Sequence, residues 1–149
     1  MKQKVDHVFP DCFPPDFQET LLPKDLIPVK IMVYRVCKYD KIDKRAFYST
    51  FEEVERGLCP RKMRWEKLLK KPETYSTSCT ETLEAALGVL DCIQAHKPVA
   101  FLIRGEADSE LGPVRPNAPE TFTDHVHWWL YRDADPSGDF FRDEKVTEI

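Results

Sequence analysis

Apolar residues gather in three short stretches of this chain, each of strand length. "VKIMVYRVC" (29–37), "PVAFLIRG" (98–105) and "HVHWWLYRD" (125–133) are rich in β-branched and aromatic residues and are predicted as strands. Between them the apolar period lengthens to that of a helix. "DKRAFYSTFEEVERG" (43–57) reads as a helix closed by Gly57, the residue type that most often sits just past a helix end. "PRKMRWEKLLKK" (60–71) opens with proline at a tolerated first position, carries Trp65, Leu68 and Leu69 at i, i+3 and i+4, and stops at Pro72. "TYSTS" (74–78) is predicted as a short strand running into a helix over 79–95, whose buried face is Leu83, Leu87 and Leu90.

Residues 1–28 follow neither period. They hold five of the twelve prolines, which lack the amide donor and fix φ, so an extended arm is expected there. The arm's Val8, Phe9, Phe13, Phe17, Leu21 and Leu22 suit a segment packed over the domain. Residues 106–124 have loop composition, and 134–149 read as a polar tail. Strands interspersed with helices define an α+β class: a single domain, 29–133, with a mixed or antiparallel sheet flanked by helices and an extended N-terminal arm.

Composition adds three constraints. No apolar run approaches the roughly 20 residues that span a bilayer, and the N-terminus lacks the continuous apolar stretch of a secretory signal. Five cysteines, odd in number and without a CxxC pair, fit a reducing compartment better than a disulfide framework. A cytoplasmic protein with no membrane association is the expectation. The net charge of −4 is unevenly spread: residues 30–72 carry thirteen Lys/Arg against six Asp/Glu, and residues 73–149 carry six against fifteen. That split could steer an anionic partner to one side, though an overall acidic chain does not suit a general nucleic-acid binder. The segment 60–71 is the basic centre, either a solvated face or a docking patch for an acidic protein or a phosphate backbone.

Three polar clusters interrupt the apolar strands. Alternation puts Arg35 on a face with Ile31, Val33 and Cys37, and a guanidinium in such company needs a partner. Glu52 or Glu53 would serve within the protein, and a ligand phosphate or carboxylate from outside it. Ser78 and Glu81 stand at capping-box spacing, which accounts for Ser78 as a helix cap and leaves Ser76 and Thr77 unexplained. In "HVHWWLY", His125, His127, Trp129 and Tyr131 share one face, while Val126, Trp128 and Leu130 share the other. The first set forms either a ligand-facing wall of rings or an amphipathic surface packed under the arm. No metal site is expected, because H-x-H supplies two ligands and no neighbouring Cys or His completes the set. P-loop, GxGxxG, GxSxG and HExxH patterns do not occur.

An arginine in the first core strand, followed later by a strand carrying S-T-S and then an alanine-rich helix, resembles the NAD pocket of ADP-ribosyltransferases. The resemblance implies that Arg35 holds the dinucleotide and that Ser76, Thr77 and Ser78 brace its nicotinamide side. The family's catalytic glutamate is not matched: His125 and His127 stand where acidic residues would be expected, and Glu120 lies in a proline-flanked loop. "YSTSC" followed by "HVHWWLY" also resembles small bacterial proteins with no assigned activity. Two functions are therefore expected as alternatives. One is an ADP-ribosyltransferase-like domain binding NAD or a related nucleotide through Arg35, Ser76, Thr77, Ser78, Trp129 and Tyr131, with His125 or His127 replacing the acid. The other is a non-catalytic module of a bacterial or mobile-element system that binds a ligand or peptide and docks partners through 60–71.

Overall fold

The computed structural model of the protein describes residues 5–116 and 125–143. Six strands form one antiparallel sheet: β1 Lys30–Cys37, β2 Thr77–Thr80, β3 Phe101–Asp108, β4 Val114–Pro116, β5 His125–Trp128 and β6 Phe141–Arg142, in the order β4-β5-β2-β1-β3-β6. Among the described residues four helices accompany it: α1 Phe17–Thr20, α2 Thr50–Glu55, α3 Trp65–Leu68 and α4 Leu83–Gln94. The class is α+β, and every strand pair is antiparallel.

Strand alternation divides the core in two. Val33, Cys37, Ile103, Cys79, Val126 and Trp128 point to one face, where Phe47 and Phe140 close over them. Val36 and Leu102 point to the other, under Ala86 and Leu90 of α4. A third cluster lies beside the sheet: Phe13 and Phe17 of the arm pack with Phe51, Trp65, Tyr75 and Trp129. The arm thus gains its place from aromatic rings, Phe13 and Tyr75 lying 5.1 Å apart and Phe13 and Phe17 4.9 Å.

Several expected elements are cut or shifted, each by an identifiable local cause. The helix expected over 43–57 is two pieces, a 3-10 turn over Lys44–Phe47 and α2, because Tyr48 and Ser49 are extended. Ser49 is the cap of α2: its hydroxyl accepts from the Glu52 amide, and the Glu52 carboxylate accepts from the Ser49 amide. Gly57 does follow the helix end, at φ +72°. The helix expected over 60–71 shrinks to the single turn of α3, with Arg64 in the left-handed region at φ 59° just before it. Pro72 opens a 3-10 turn over Pro72–Tyr75, so the following strand begins at Thr77 and runs on to Thr80.

Consequently Ser78 is not a helix cap. Thr82 is, its hydroxyl accepting from the Ala85 amide, and α4 starts at Leu83, four residues later than expected. β3 extends past Gly105 to Asp108 because β1 offers a matching partner at every position, from Cys37 opposite Phe101 to Lys30 opposite Asp108. Gly112 is required where it stands: at φ 155°, a Cβ there would collide with the Trp129 carbonyl. The expected polar tail contributes to the fold as far as Asp143, since β6 pairs with β3 and Phe140 is buried. Within the arm, one helical turn, α1, forms after Pro14 and Pro15 where an extended chain was expected. No helix among the described residues is long and apolar enough to cross a membrane.

Candidate functional site

The face of the sheet that α4 covers is polar at one end. Tyr34 of β1 is opposite Thr80 of β2, and Thr80 is opposite His125 of β5, so these three side chains form a row across three strands. One step along, Ser78 stands opposite His127. A recess of about 200 Å³ opens over these rows. Tyr34, Val36, Ser76, Ser78, Thr80 and His125 line it from the sheet, Ala86, Val89 and Ile93 from α4, and Tyr48, Thr50 and Glu53 from the α2 side. Arg35 borders it as well. Four of the residues singled out in the sequence, Arg35, Ser76, Ser78 and His125, therefore meet at one concavity.

Arg35 is held from within. Its Nε donates to the Ala46 carbonyl at 2.7 Å, Nη1 to the Ser78 carbonyl at 2.5 Å and Nη2 to the Tyr48 carbonyl at 2.9 Å. Neither of the expected carboxylates is its partner. Glu52 is committed to capping α2, and Glu53 accepts from Lys38 Nζ at both carboxylate oxygens, at 2.7 and 2.9 Å. All three guanidinium nitrogens thus serve backbone carbonyls, a geometry that ties the 44–49 segment to β1 and β2.

The S-T-S run divides in three directions. Thr77 is 1% exposed and its hydroxyl donates to the Phe47 carbonyl, so it belongs to the core. Ser78 offers its carbonyl to Arg35 and its side chain to the recess. Ser76 Oγ lies 2.9 Å from the Glu73 carbonyl and 2.8 Å from His127 Nδ1. A carbonyl cannot donate and the hydroxyl has one proton, so both contacts are hydrogen bonds only when Nδ1 carries a proton of its own. In that arrangement Nδ1 donates to the Ser76 hydroxyl, which holds the ring's orientation.

The two histidines differ accordingly. His127 is buried and oriented by Ser76, while His125 is half-buried and lines the recess, the two rings 5.4 Å apart. Burial pulls the His125 pKa below the ordinary 6.5, because the charged imidazolium is the form that loses hydration. His125 is neutral at neutral pH. Trp129 and Tyr131 are not at the recess. Trp129 is 1% exposed among the arm's rings and donates from Nε1 to the Pro72 carbonyl at 2.8 Å. Tyr131 stacks on His7 of the arm at 4.8 Å. Of the two roles expected for this strand, these two rings have taken the packing one, because β5 ends at Trp128 just as the arm crosses.

Thr80, Tyr34 and the Lys38–Glu53 pair were not singled out by sequence. Burial, reinforced by the Glu53 carboxylate 3.4 Å from the hydroxyl, pushes the Tyr39 pKa up to about 12. A signal for part of this existed: Tyr34, Val36 and Lys38 alternate with the buried set of β1, and Ser76, Ser78 and Thr80 alternate with Thr77 and Cys79. Among the described residues no group of three or more His, Cys, Asp or Glu could hold a metal ion. Glu120 lies outside the described residues. No protein-family model, curated protein or solved structure matches this chain.

Proposed function

We propose that the protein binds a nucleotide, NAD or a relative, with one end of the molecule seated in the recess, as in an ADP-ribosyltransferase-like domain. The observation that carries this is the meeting of Arg35, Ser78 and His125, from three strands, and Ser76, from the residue that precedes β2, at a single concavity. A recess of 200 Å³ falls below the about 300 Å³ at which pockets begin to enclose drug-sized ligands, so one ring system enters and the rest of a dinucleotide lies outside. Arg35 supports the floor in this scheme instead of clamping a phosphate. For transferase chemistry His125 is the proton acceptor, being neutral and at the recess, and His127 sits behind it.

Calorimetric titration with NAD is expected to give saturable binding that His125→Ala weakens, and a labelled-NAD transfer assay then separates an enzyme from a binding module. Absence of NAD binding by the full chain, or binding unaffected by His125→Ala, overturns the proposal.

A second function is favoured by a separate observation. Lys62, Lys70 and Lys71, against one acid, Glu73, line a groove of about 600 Å³ together with Leu68 and Pro72, a net basic surface suited to an acidic protein segment. A Glu-rich peptide is expected to bind there with an affinity that falls as salt rises and that Lys70→Glu abolishes. Salt-independent binding, or none, removes it.

A further inference from the structure

The cations of the basic segment are not neutralised within the protein. Arg61, Lys62, Arg64, Lys67, Lys70 and Lys71 form no ion pair among the described residues, whereas Lys38 and Arg45 each pair with a carboxylate. One loop of this segment also displays apolar side chains. Gly57 follows α2, and residues 57–64 carry Arg61, Lys62 and Arg64 with no acidic residue. Leu58 is 41% exposed, and Met63, at 89%, is the most exposed large apolar side chain among the described residues. The loop is rooted at both ends. The Leu58 amide donates to the Glu53 carbonyl at 2.8 Å, and Trp65, just beyond the loop, stacks on Phe51 of α2 within the aromatic cluster. Met63 therefore projects from a fixed base, with a cation on either side of it in the chain.

We propose that the loop 57–64 is a contact for an anionic lipid surface, with Met63 entering the boundary between headgroups and acyl chains and the neighbouring cations resting among the headgroups. Unpaired positive charge calls for an anionic partner, and basic clusters of this size are suited to anionic leaflets. The projecting methionine separates that partner from the other anionic ones. A phosphate backbone offers Met63 no apolar medium. A protein would have to present a pocket shaped for it, whereas an acyl boundary accepts an apolar side chain of any shape. The inference goes beyond the acidic-segment function, which uses the concave groove and not the projecting loop. It also departs from the expectation of no membrane association. That expectation rested on the lack of a spanning or signal segment, and a peripheral contact needs neither.

The test is co-sedimentation of the full chain with vesicles of phosphatidylcholine alone and of phosphatidylcholine with about 30% phosphatidylserine. Binding is expected to the anionic vesicles, weakening as salt rises, and not to the neutral ones. Met63→Ser is expected to weaken it about tenfold, the size of one methionine side chain left in water, with Tm unchanged because the residue is exposed. Arg61→Ala is expected to weaken it about fivefold, the share of one cation near an anionic leaflet. Met63→Ser should leave binding of the Glu-rich peptide intact, and Lys70→Glu should abolish that peptide's binding, so failure of one function is distinguishable from failure of the other. Binding to neither vesicle, equal binding to both, or anionic binding unchanged by Met63→Ser would each overturn the proposal. So would an oligonucleotide duplex bound more tightly than the anionic vesicles, which would assign the cations to a phosphate backbone. Loss of the Glu-rich peptide by Met63→Ser would overturn it as well, since the methionine would then belong to the protein partner's site.

Discussion

Arg35 shows how a residue can be correctly suspected from sequence while its partner stays hidden. Its three hydrogen bonds join β1 to β2, to the 3-10 turn at Ala46 and to the extended break at Tyr48 that precedes α2. Hydrogen bonds to a charged group contribute about 1.5–3 kcal/mol each and are not additive, so Arg35→Ala is expected to cost about 3 kcal/mol or more of unfolding free energy. Urea denaturation measures it, and a loss below about 1 kcal/mol would mean that the carbonyls find other donors. The arginine was visible because a guanidinium amid Ile31, Val33 and Cys37 is out of place. Its partners were invisible because a carbonyl belongs to every residue, and only the local path of the chain at 46–48 turns two of them inward. Thr80 was hidden for a different reason: a threonine before "ETLEAALGVL" is as compatible with a helix as with a strand end.

At the scale of elements, helix beginnings decided most of the differences between expectation and structure. Two hydroxyl residues competed to start α4, Ser78 with Glu81 and Thr82 with Ala85. The strand pairing settled the competition: Cys79 and Thr80 continue the ladder opposite Val126 and His125, so the residues after Ser78 are extended where a helix capped at Ser78 would need helical dihedrals. Thr82→Ala is therefore expected to destabilise the protein by about 1 kcal/mol through the lost cap. Ser78→Ala should leave α4 untouched, and thermal unfolding of the two variants distinguishes the sites. Equal losses, or a larger one for Ser78→Ala, would contradict the assignment. The long helix expected over 43–57 broke for the same class of reason. Ser49 and Glu52 form a capping box in mid-run, and a cap requires extended backbone where a continuous helix would need helical dihedrals. The spacing was present in the sequence, masked by the apolar period running through it.

The stability of the whole molecule should depend on pH through groups whose burial differs between the folded and unfolded chain. His125 has a folded pKa below 6.5, so protons bind the unfolded chain more readily in the window beneath that value. Its contribution is fully present above about pH 6.5 and is lost as the pH falls through the folded pKa. Glu52 works in the opposite sense. Burial raises its pKa above 4.5, so its contribution is present below that value and is lost as the pH rises through the folded pKa. Urea midpoints taken between about pH 7.5 and about pH 5.5 are expected to fall more steeply for the wild-type chain than for His125→Gln, which cannot titrate. Parallel profiles would show that the imidazole is not desolvated in the fold.

By itself the sequence determined the α+β class, the positions of β1, β3 and β5 to within a few residues, the C-terminal stop at Gly57, and the oddness of Arg35, Ser76 and the histidine pair. Those features are local: they rest on side-chain period, backbone freedom at glycine and proline, and polar groups in apolar company. Tertiary structure decided the strand order, the row of Tyr34, Thr80 and His125, the retreat of Trp129 and Tyr131 beneath the arm, and the sharing of Arg35 among three carbonyls. Each of these depends on which distant segments are brought side by side. Pairing energies between strands, and the burial of one aromatic cluster against another, are sums over contacts that no short window of sequence contains.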